Sequence, residues 1–440
     1  MHLIEKMIYI FLYNIFLRVY LGVISLAALW NIKARNWITG RRDLMEQVKR
    51  TIKGKKPVIW MHCASLGEFE QGRPVLEQLR SQFTEYDIVL TFFSPSGYLI
   101  QRNYAGADYV FYLPMGTRKS ATEFIALIKP KLVIWVKYEY WYHYLNHLHE
   151  QRIPVMLISA IFRKDQLFFK WYGALHRRML HFFHQLFVQD EASVQLLQNI
   201  GIRNVTIAGD TRFDRVVDIA AAPKDLPLIA QFCQGRLVIV AGSTWPEDEE
   251  ALDHYANSHP ELRFIIAPHE IDEDHLVEIE KLFSNTVRYS TLSQESHLQA
   301  DVNTAFSAGT KYQTMIIDNI GLLSQLYSYS NICYVGGGFG EDGIHNILEA
   351  AVYGKPVVFG PEYEKYKEAI DLVKLGGAFS VENVLELEEL LTRLLKNEND
   401  YKAASVVAFE YVQNNTGATK KLGEYICRVM QQQKISMENS

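Results

Sequence analysis

Apolar side chains are distributed along the chain in two different rhythms. From Met7 to Trp30 (MIYIFLYNIFLRVYLGVISLAALW) the run is nearly unbroken, with Asn14 and Arg18 as its polar interruptions. It is about 24 residues long, against the roughly 20 that cross a bilayer. From Lys55 onward, short apolar runs alternate with amphipathic stretches, a pattern that predicts strands joined by crossover helices in parallel sheets. The first set of predicted strands is Val58 to His62, Ile88 to Phe93, Val110 to Leu113, Leu132 to Val136, Val155 to Ile158, Leu186 to Gln189 and Val205 to Ala208. Ala220 to Leu226 (AAAPKDL) reads as a linker. A second set follows at Leu237 to Ala241, Phe264 to Ala267, Met315 to Ile317, Ile332 to Val335 and Val357 to Gly360. Two doubly wound units with a cleft between them are expected, each binding ligand beyond the carboxyl ends of its strands. Tyr401 to Gln433 is expected to be helical and Lys434 to Ser440 frayed.

The basic residues behind the apolar run, Lys33, Arg35, Arg41, Arg42, Lys49 and Arg50, predict that the rest of the chain stays on the cytoplasmic side. A cleaved signal peptide does not fit, because the run is too long and no small-residue cleavage site precedes the basic cluster. A buried first helix is the competing reading, since Arg18 is costly at a bilayer centre. An interfacial helix with Arg18 snorkelling reconciles the two. Membrane attachment is therefore expected, either spanning or monotopic.

Composition narrows the function classes. The 440 residues are 48% hydrophobic and 22% charged, too apolar for a disordered chain and long enough for two or three domains. A formal net charge of -5 excludes a protein that coats nucleic acid, which needs a Lys/Arg surplus. Cys63, Cys233, Cys333 and Cys427 are far apart and lack metal-ligand spacing, so neither a disulfide framework nor a zinc site is suggested. No metal and no cofactor are expected.

Four segments carry candidate chemistry. The first predicted strand runs into Cys63-Ala64-Ser65-Leu66-Gly67-Glu68, where Ser65 and Glu68 have capping-box spacing. Glu68 is either such a cap or a general base, for a helix amino terminus favours the carboxylate that a base needs. In ICYVGGGFGEDGIHNILEA (Ile332 to Ala350) a strand ends in Gly336-Gly337-Gly338 and a helix is expected from Ile344 or His345. Glycines and free helix-terminal N–H groups suit a phosphate, with Asn346 and Glu349 one turn apart for phosphate and ribose. Gly338 to Gly343 also reads formally as GxGxxG with Glu362 about 20 residues on, which keeps an NAD-dependent oxidoreductase as an alternative. Ala241-Gly242-Ser243-Thr244 offers hydroxyls and N–H groups at another strand end, or a simple helix cap. His269 ends a further strand, and Arg212 is placed to reach an anionic ligand or is merely solvated.

Together these segments resemble the Kdo transferases, which move 3-deoxy-D-manno-octulosonic acid (Kdo) from CMP-Kdo to the lipid A precursor. The matching stretches are His62-Cys63-Ala64-Ser65-Leu66-Gly67-Glu68, Ala241-Gly242-Ser243-Thr244, Val335-Gly336-Gly337-Gly338-Phe339 and Gly343-Ile344-His345-Asn346-Ile347-Leu348-Glu349. The resemblance implies a GT-B-type fold of two Rossmann-like domains and an amino-terminal membrane helix. The expected division is 1–44 anchor and basic flank, 45–215 acceptor domain, 216–400 nucleotide-sugar domain, and 401–440 a helix returning to the first domain. It implies Glu68 as general base, with Ser65, Gly67 and Glu139 on the acceptor side. On the donor side it implies Gly242, Ser243, Thr244, His269, Gly337, Gly338, Asn346 and Glu349, with Arg212 at the phosphate or Kdo carboxylate. The expected reaction is inverting transfer to lipid IVA in lipopolysaccharide inner-core synthesis, at the cytoplasmic face of the inner membrane; another nucleotide-sugar GT-B enzyme is the alternative.

The chain also departs from the family's pattern. Pro-Arg-His is Ala267-Pro268-His269 here, Glu-Thr-Glu-Leu-Trp-Pro is Lys137-Tyr138-Glu139-Tyr140-Trp141-Tyr142, and Lys-Phe-Asp is Arg212-Phe213-Asp214. Gly321 is followed by Leu322 where the family has Glu.

Overall fold

The computed structural model describes residues 3–137, 139–298, 312–341 and 343–438. It divides into two units, one made of residues 1–215 with 416–440 and the other of residues 216–415.

The first unit is built on a parallel sheet of seven strands among the described residues: β1 (Val58–Cys63), β2 (Asp87–Phe92), β3 (Tyr109–Tyr112), β4 (Pro130–Val136), β5 (Val155–Ala160), β6 (Gln185–Val188) and β7 (Val205–Ile207). Their order is β3-β2-β1-β4-β5-β6-β7, so β1 and β4 flank the point where the winding reverses. All six residues of β1 and of β5 are buried, as expected of strands covered by helices on both faces. The chain returns to this unit through the helix Ala418–Glu438, whose Leu422, Ile426, Val429 and Met430 pack with Met61, Val75, Leu79 and Ile134. Asp214 fixes its start by accepting from the N–H groups of Gly417 (2.5 Å) and Thr419 (2.7 Å).

The second unit repeats the plan with β8 (Val238–Thr244), β9 (Arg263–Pro268), β10 (Thr286–Arg288), β11 (Thr314–Ile316), β12 (Ile332–Val335), β13 (Val357–Phe359) and β14 (Ala378–Ser380), in the order β10-β11-β9-β8-β12-β13-β14. The edge strands β10 and β14 are three residues each and were not predicted. Runs so short carry no periodicity; lateral pairing with β11 and β13 makes them strands.

Two expectations about the tail need correction. The segment 401–440 does not return to the first domain as a whole, because the helix Glu398–Asn414 stays in the second unit, its Gly354-facing Phe409 and buried Ala404, Ala408 and Val412 packed there. Nor does order end at Gln433, since the last helix continues to Glu438.

The amino-terminal helix Leu3–Ala27 lies along the first unit by one stripe: Tyr9, Ile10, Tyr13, Leu17, Tyr20, Leu21 and Ile24 join that unit's core cluster. This spacing of three and four is one face of a helix. The opposite face, including Phe11, Ile15, Phe16, Val19, Val23 and Leu26, is exposed and apolar. The buried-helix reading is therefore corrected: only 6% of the apolar span is buried. Its two polar contacts point inward. Tyr13 Oη accepts from the N–H of Tyr142 (3.2 Å), which opens a helix whose cap residue, Trp141, makes no side-chain cap bond. His143 Nε2 donates to Asn14 Oδ1 (2.8 Å), with burial and then Arg118 lowering the His143 pKa to about 4, so the ring is neutral at pH 7.

The basic flank is also less exposed than expected. Trp37, Leu44 and Val48 enter the first unit's core. Arg41 donates to the carbonyls of Leu113 (3.0 Å), Phe93 (2.6 Å) and Trp37 (3.2 Å), and its guanidinium lies 3.9 Å from the Trp37 ring centroid. Burial pushes its pKa down to about 10, so it keeps its charge at neutral pH.

Candidate active-site residues

The loop after β1 places Glu68 at the first turn of the helix Leu66–Gln82. Ser65 Oγ accepts from Glu68 N (3.4 Å), and Glu68 Oε2 accepts from the N–H of Ala64 (2.5 Å), one residue earlier than a standard capping box would place it. Glu68 is half-buried and Gly67 beside it exposed. The reciprocal bonds fix the carboxylate at the carboxyl end of β1, next to the central β4, so cap and base are compatible roles for it. Neighbouring Cys63 is fully buried, and burial, followed by the charges of Glu68, Glu70 and Glu139, holds its thiol well above the usual range. That thiol is inert at neutral pH.

Glu139, beyond the end of β4, is tied to the same strand. Its Oε2 lies 2.9 Å from His62 Nε2 and accepts from Trp141 Nε1 (3.0 Å), while its carbonyl accepts from Trp135 Nε1 (2.5 Å). His62 is fully buried, 2.9 Å from Thr91 Oγ1 through Nδ1. Thr91 in turn accepts from Trp60 Nε1 (2.8 Å). The hydroxyl proton is then best placed to donate to His62 Nδ1, which leaves Nε2–H to donate to Glu139. Sequence reading quoted His62 as part of a motif and gave it no role. Tyr138, next to Glu139, lies outside the described residues.

Arg212 is placed differently from expectation. Its Nε (2.8 Å) and Nη2 (2.7 Å) both engage Asp210 Oδ2, and its N–H donates to Oδ1 (2.9 Å). Burial pushes the Asp210 carboxyl up, but Arg212 outweighs it and holds the group below the usual carboxylate range. The guanidinium is thus already matched by a buried carboxylate, to which Gln71 also donates (3.2 Å).

In the second unit, the residues expected on the donor side gather at the carboxyl ends of β8, β9 and β12. Gly242 is buried near the end of β8, and Ser243 bulges from the ladder in left-handed conformation (φ 55°). Thr244 is buried, and its hydroxyl donates to Glu249 Oε1 (2.7 Å), so it braces the loop from within. Glu249 is buried too, its other oxygen 2.8 Å from His275 Nε2. Asp248 pins the glycine turn: it accepts from Gly337 N (2.7 Å), Trp245 N (2.9 Å) and Tyr334 Oη (2.7 Å). Glu247-Asp248-Glu249 form the acidic first turn of the helix Pro246–Ser258, and two of the three, Asp248 and Glu249, are buried internal braces, a distinction that only partners across the sheet create.

Gly337 has φ 92°, and a Cβ there would stand 2.5 Å from the Gly343 carbonyl oxygen. Gly338 approaches the backbone of Gly360 as closely. The helix expected from Ile344 or His345 is corrected to one turn, Leu348–Ala351. Asn346 accounts for the delay: its Oδ1 accepts from Leu348 N (3.3 Å) and its Nδ2 donates to Glu349 Oε1 (3.0 Å), which favours a turn over a helix start. His269 is exposed and stacked between Trp245 (4.8 Å) and His345 (4.4 Å), and Trp245 Nε1 donates to His345 Nε2 (3.2 Å). The aromatic stack was not read from sequence, because its members come from three separate strand ends. Among the described residues no group of three His, Cys, Asp or Glu side chains is placed to hold a metal ion.

Residues 40–215 match the family model described as 3-deoxy-D-manno-octulosonic-acid transferase (kdotransferase). The chain is 28% identical over 365 residues to the 3-deoxy-D-manno-octulosonic acid transferase of Aquifex aeolicus, covering 80% of this chain and 90% of that protein. The transferase of the same description from Haemophilus influenzae is 25% identical over 378 residues, covering 83% and 85%. Among solved structures, UDP-GlcNAc 2-epimerase from Neisseria meningitidis bound to UDP-GlcNAc superposes with a TM-score of 0.57 at 18% identity, over 84% of this chain and 100% of that one. The architecture of two doubly wound domains is that of GT-B-type proteins.

Proposed function

From the chain's similarity to the Kdo transferases of lipopolysaccharide biosynthesis, we infer that it belongs to that family and transfers Kdo from CMP-Kdo to a lipid A precursor, lipid IVA, with inversion. The observation that carries the reading is the carboxylate of Glu68, anchored by the Ala64 N–H at the end of β1. In this mechanism Glu68 takes the proton of an acceptor sugar hydroxyl as that oxygen attacks the anomeric carbon of Kdo and CMP departs. The Ala64 N–H at the helix start holds the carboxylate in position to accept that proton. Ser65 and Gly67 flank the acceptor, and Glu139 orients it.

On the donor side, Ser243, Asn346 and Glu349 are the polar groups that meet the cytidine nucleotide, with His269 at the edge of the aromatic stack. Gly242, Gly337 and Gly338 keep the backbone close. Thr244 and Arg212 act differently from the family-based expectation: Thr244 supports the loop through Glu249, and Arg212 meets an anion only by sharing itself with Asp210. The departing phosphate is stabilised by backbone N–H groups of these strand-end loops.

The exposed apolar face of the amino-terminal helix supports attachment to the cytoplasmic face of the inner membrane. Docking of its inner face along the first domain favours a helix lying in the membrane surface over one that crosses it. A lipid acceptor stays in that surface, so enzyme and acceptor meet by diffusion in a plane.

The oxidoreductase alternative loses its structural support. A dinucleotide fingerprint needs a helix opening inside the glycine motif, whereas among the described residues the next helix after Gly338 to Gly343 is one turn beginning at Leu348. The deciding experiment incubates purified protein with CMP-Kdo and lipid IVA and weighs the product. A mass increase of one or more Kdo units is expected; its absence with folded protein refutes the reading.

A further inference from the structure

The amino-terminal helix and the first domain enclose between them a cavity of about 460 Å³, a volume within the usual range of ligand pockets. Its walls are mainly apolar: Leu12 and Phe16 from the helix, Leu175 and Met179 from the helix Ala174–Leu180, and Trp141. Glu139 is the carboxylate in this lining. Leu12 and Phe16 belong at once to the cavity wall and to the exposed apolar face of the helix. The cavity therefore opens beside that exposed apolar face, and Glu139 in its lining pairs with His62 on β1, the strand that also positions Glu68.

We propose that this groove receives one acyl chain of the acceptor lipid, with Glu139 Oε1 accepting a hydroxyl or amide N–H at the root of that chain. The proposal rests on the reading of the protein as a Kdo transferase with a lipid acceptor. Glu139 Oε2 is already engaged by His62 and Trp141, and Oε1 has no hydrogen-bond partner among the described residues. A free fatty acid fits poorly, because its carboxylate would meet that of Glu139. Lipid tails are as apolar as the groove, so passage from bilayer to groove is close to neutral. The groove accordingly sets the position and angle of the acceptor rather than concentrating it, and a misplacement of about 1 Å at the reacting hydroxyl costs about a hundredfold in rate.

Two measurements on the full chain in nanodiscs test this. In the first, an alkyl glucoside brominated along its chain is added, and the fluorescence contributed by Trp141 is taken as the difference between the wild type and Trp141→Phe. Quenching of that difference is expected; its absence overturns the groove. In the second, kcat/KM is measured for lipid IVA and for its fully deacylated form. Leu175→Trp, which fills the groove, is expected to lower the ratio of the two by about tenfold, whereas Leu385→Trp, at an exposed position of the second unit, leaves the ratio in place. An unaltered ratio in Leu175→Trp overturns the groove and leaves the transferase reading standing. Quenching without Kdo transfer to either acceptor supports the groove as an apolar-chain site and refutes the transferase reading instead.

Discussion

His62 Nε2 stands 2.9 Å from Glu139 Oε2, a buried imidazole paired with a carboxylate that is only partly covered. The pair joins the end of β1 to the segment after β4, the two strands at which the winding of the first sheet reverses. Removing the imidazole takes one hydrogen bond each from Thr91, which keeps Trp60 Nε1, and from Glu139, which keeps Trp141 Nε1, in a largely dry setting. His62→Leu should therefore cost about 1–3 kcal/mol of stability, read as a fall in the denaturant midpoint. The double variant with Glu139→Gln should cost less than the sum of the two single changes, since residues in one network are not additive.

Glu68 carries a cap and a proposed base on one carboxylate, and two substitutions separate them. Glu68→Gln keeps an oxygen to accept from Ala64 N–H, so thermal stability should stay near that of the wild type while kcat falls about 10²- to 10⁴-fold. Ser65→Ala should do the reverse, losing about 0.5–2 kcal/mol from the helix start with a smaller effect on kcat. Comparable kcat losses in both variants would assign Glu68 to structure alone.

The glycine turn of the second domain depends on backbone that a side chain obstructs. In Gly337→Ala the new Cβ meets a carbonyl oxygen at 2.5 Å in a left-handed conformation, so Asp248 loses its hold on the Gly337 N–H. CMP binding, measured by calorimetry, should weaken at least about tenfold, and the strain adds roughly 1–3 kcal/mol of destabilisation. Undiminished CMP affinity would separate the turn from the nucleotide site.

Docking of the amino-terminal helix should respond to pH through His143. Its folded pKa, lowered to about 4 from the ordinary 6.5, means that the folded state binds fewer protons than the unfolded state between those values. The stability it confers is complete above about pH 6.5 and is lost as pH falls towards 4. His143→Gln keeps a donor for Asn14 Oδ1 and does not titrate. Unfolding midpoints measured from pH 4 to 7 should therefore fall less steeply in the variant than in the wild type; parallel curves would refute the assignment.

Much of this protein follows from patterns local in sequence. The strands that are buried on both faces, such as β1, β5 and β9, announce themselves as apolar runs because no residue in them meets water. The amino-terminal helix is equally legible, for its apolar residues exceed what docking on a domain requires, and the Ser65–Glu68 cap is set by the spacing of one helical turn. Partners distant in sequence decided the rest. Asn346 stops a helix that its neighbours would otherwise begin, and β10 and β14 exist only by pairing at sheet edges. Thr244 and Arg212 read as groups open to an anionic ligand until Glu249 and Asp210 are brought against them. Propensity and periodicity act within a turn or two of chain, whereas the satisfaction of a buried polar group depends on whichever atom the fold carries to within about 3 Å. Sequence thus determined where chemistry can stand at the strand ends; tertiary structure decided which side chains are already held by the protein itself, and that the amino-terminal helix forms one wall of a groove lined by Glu139.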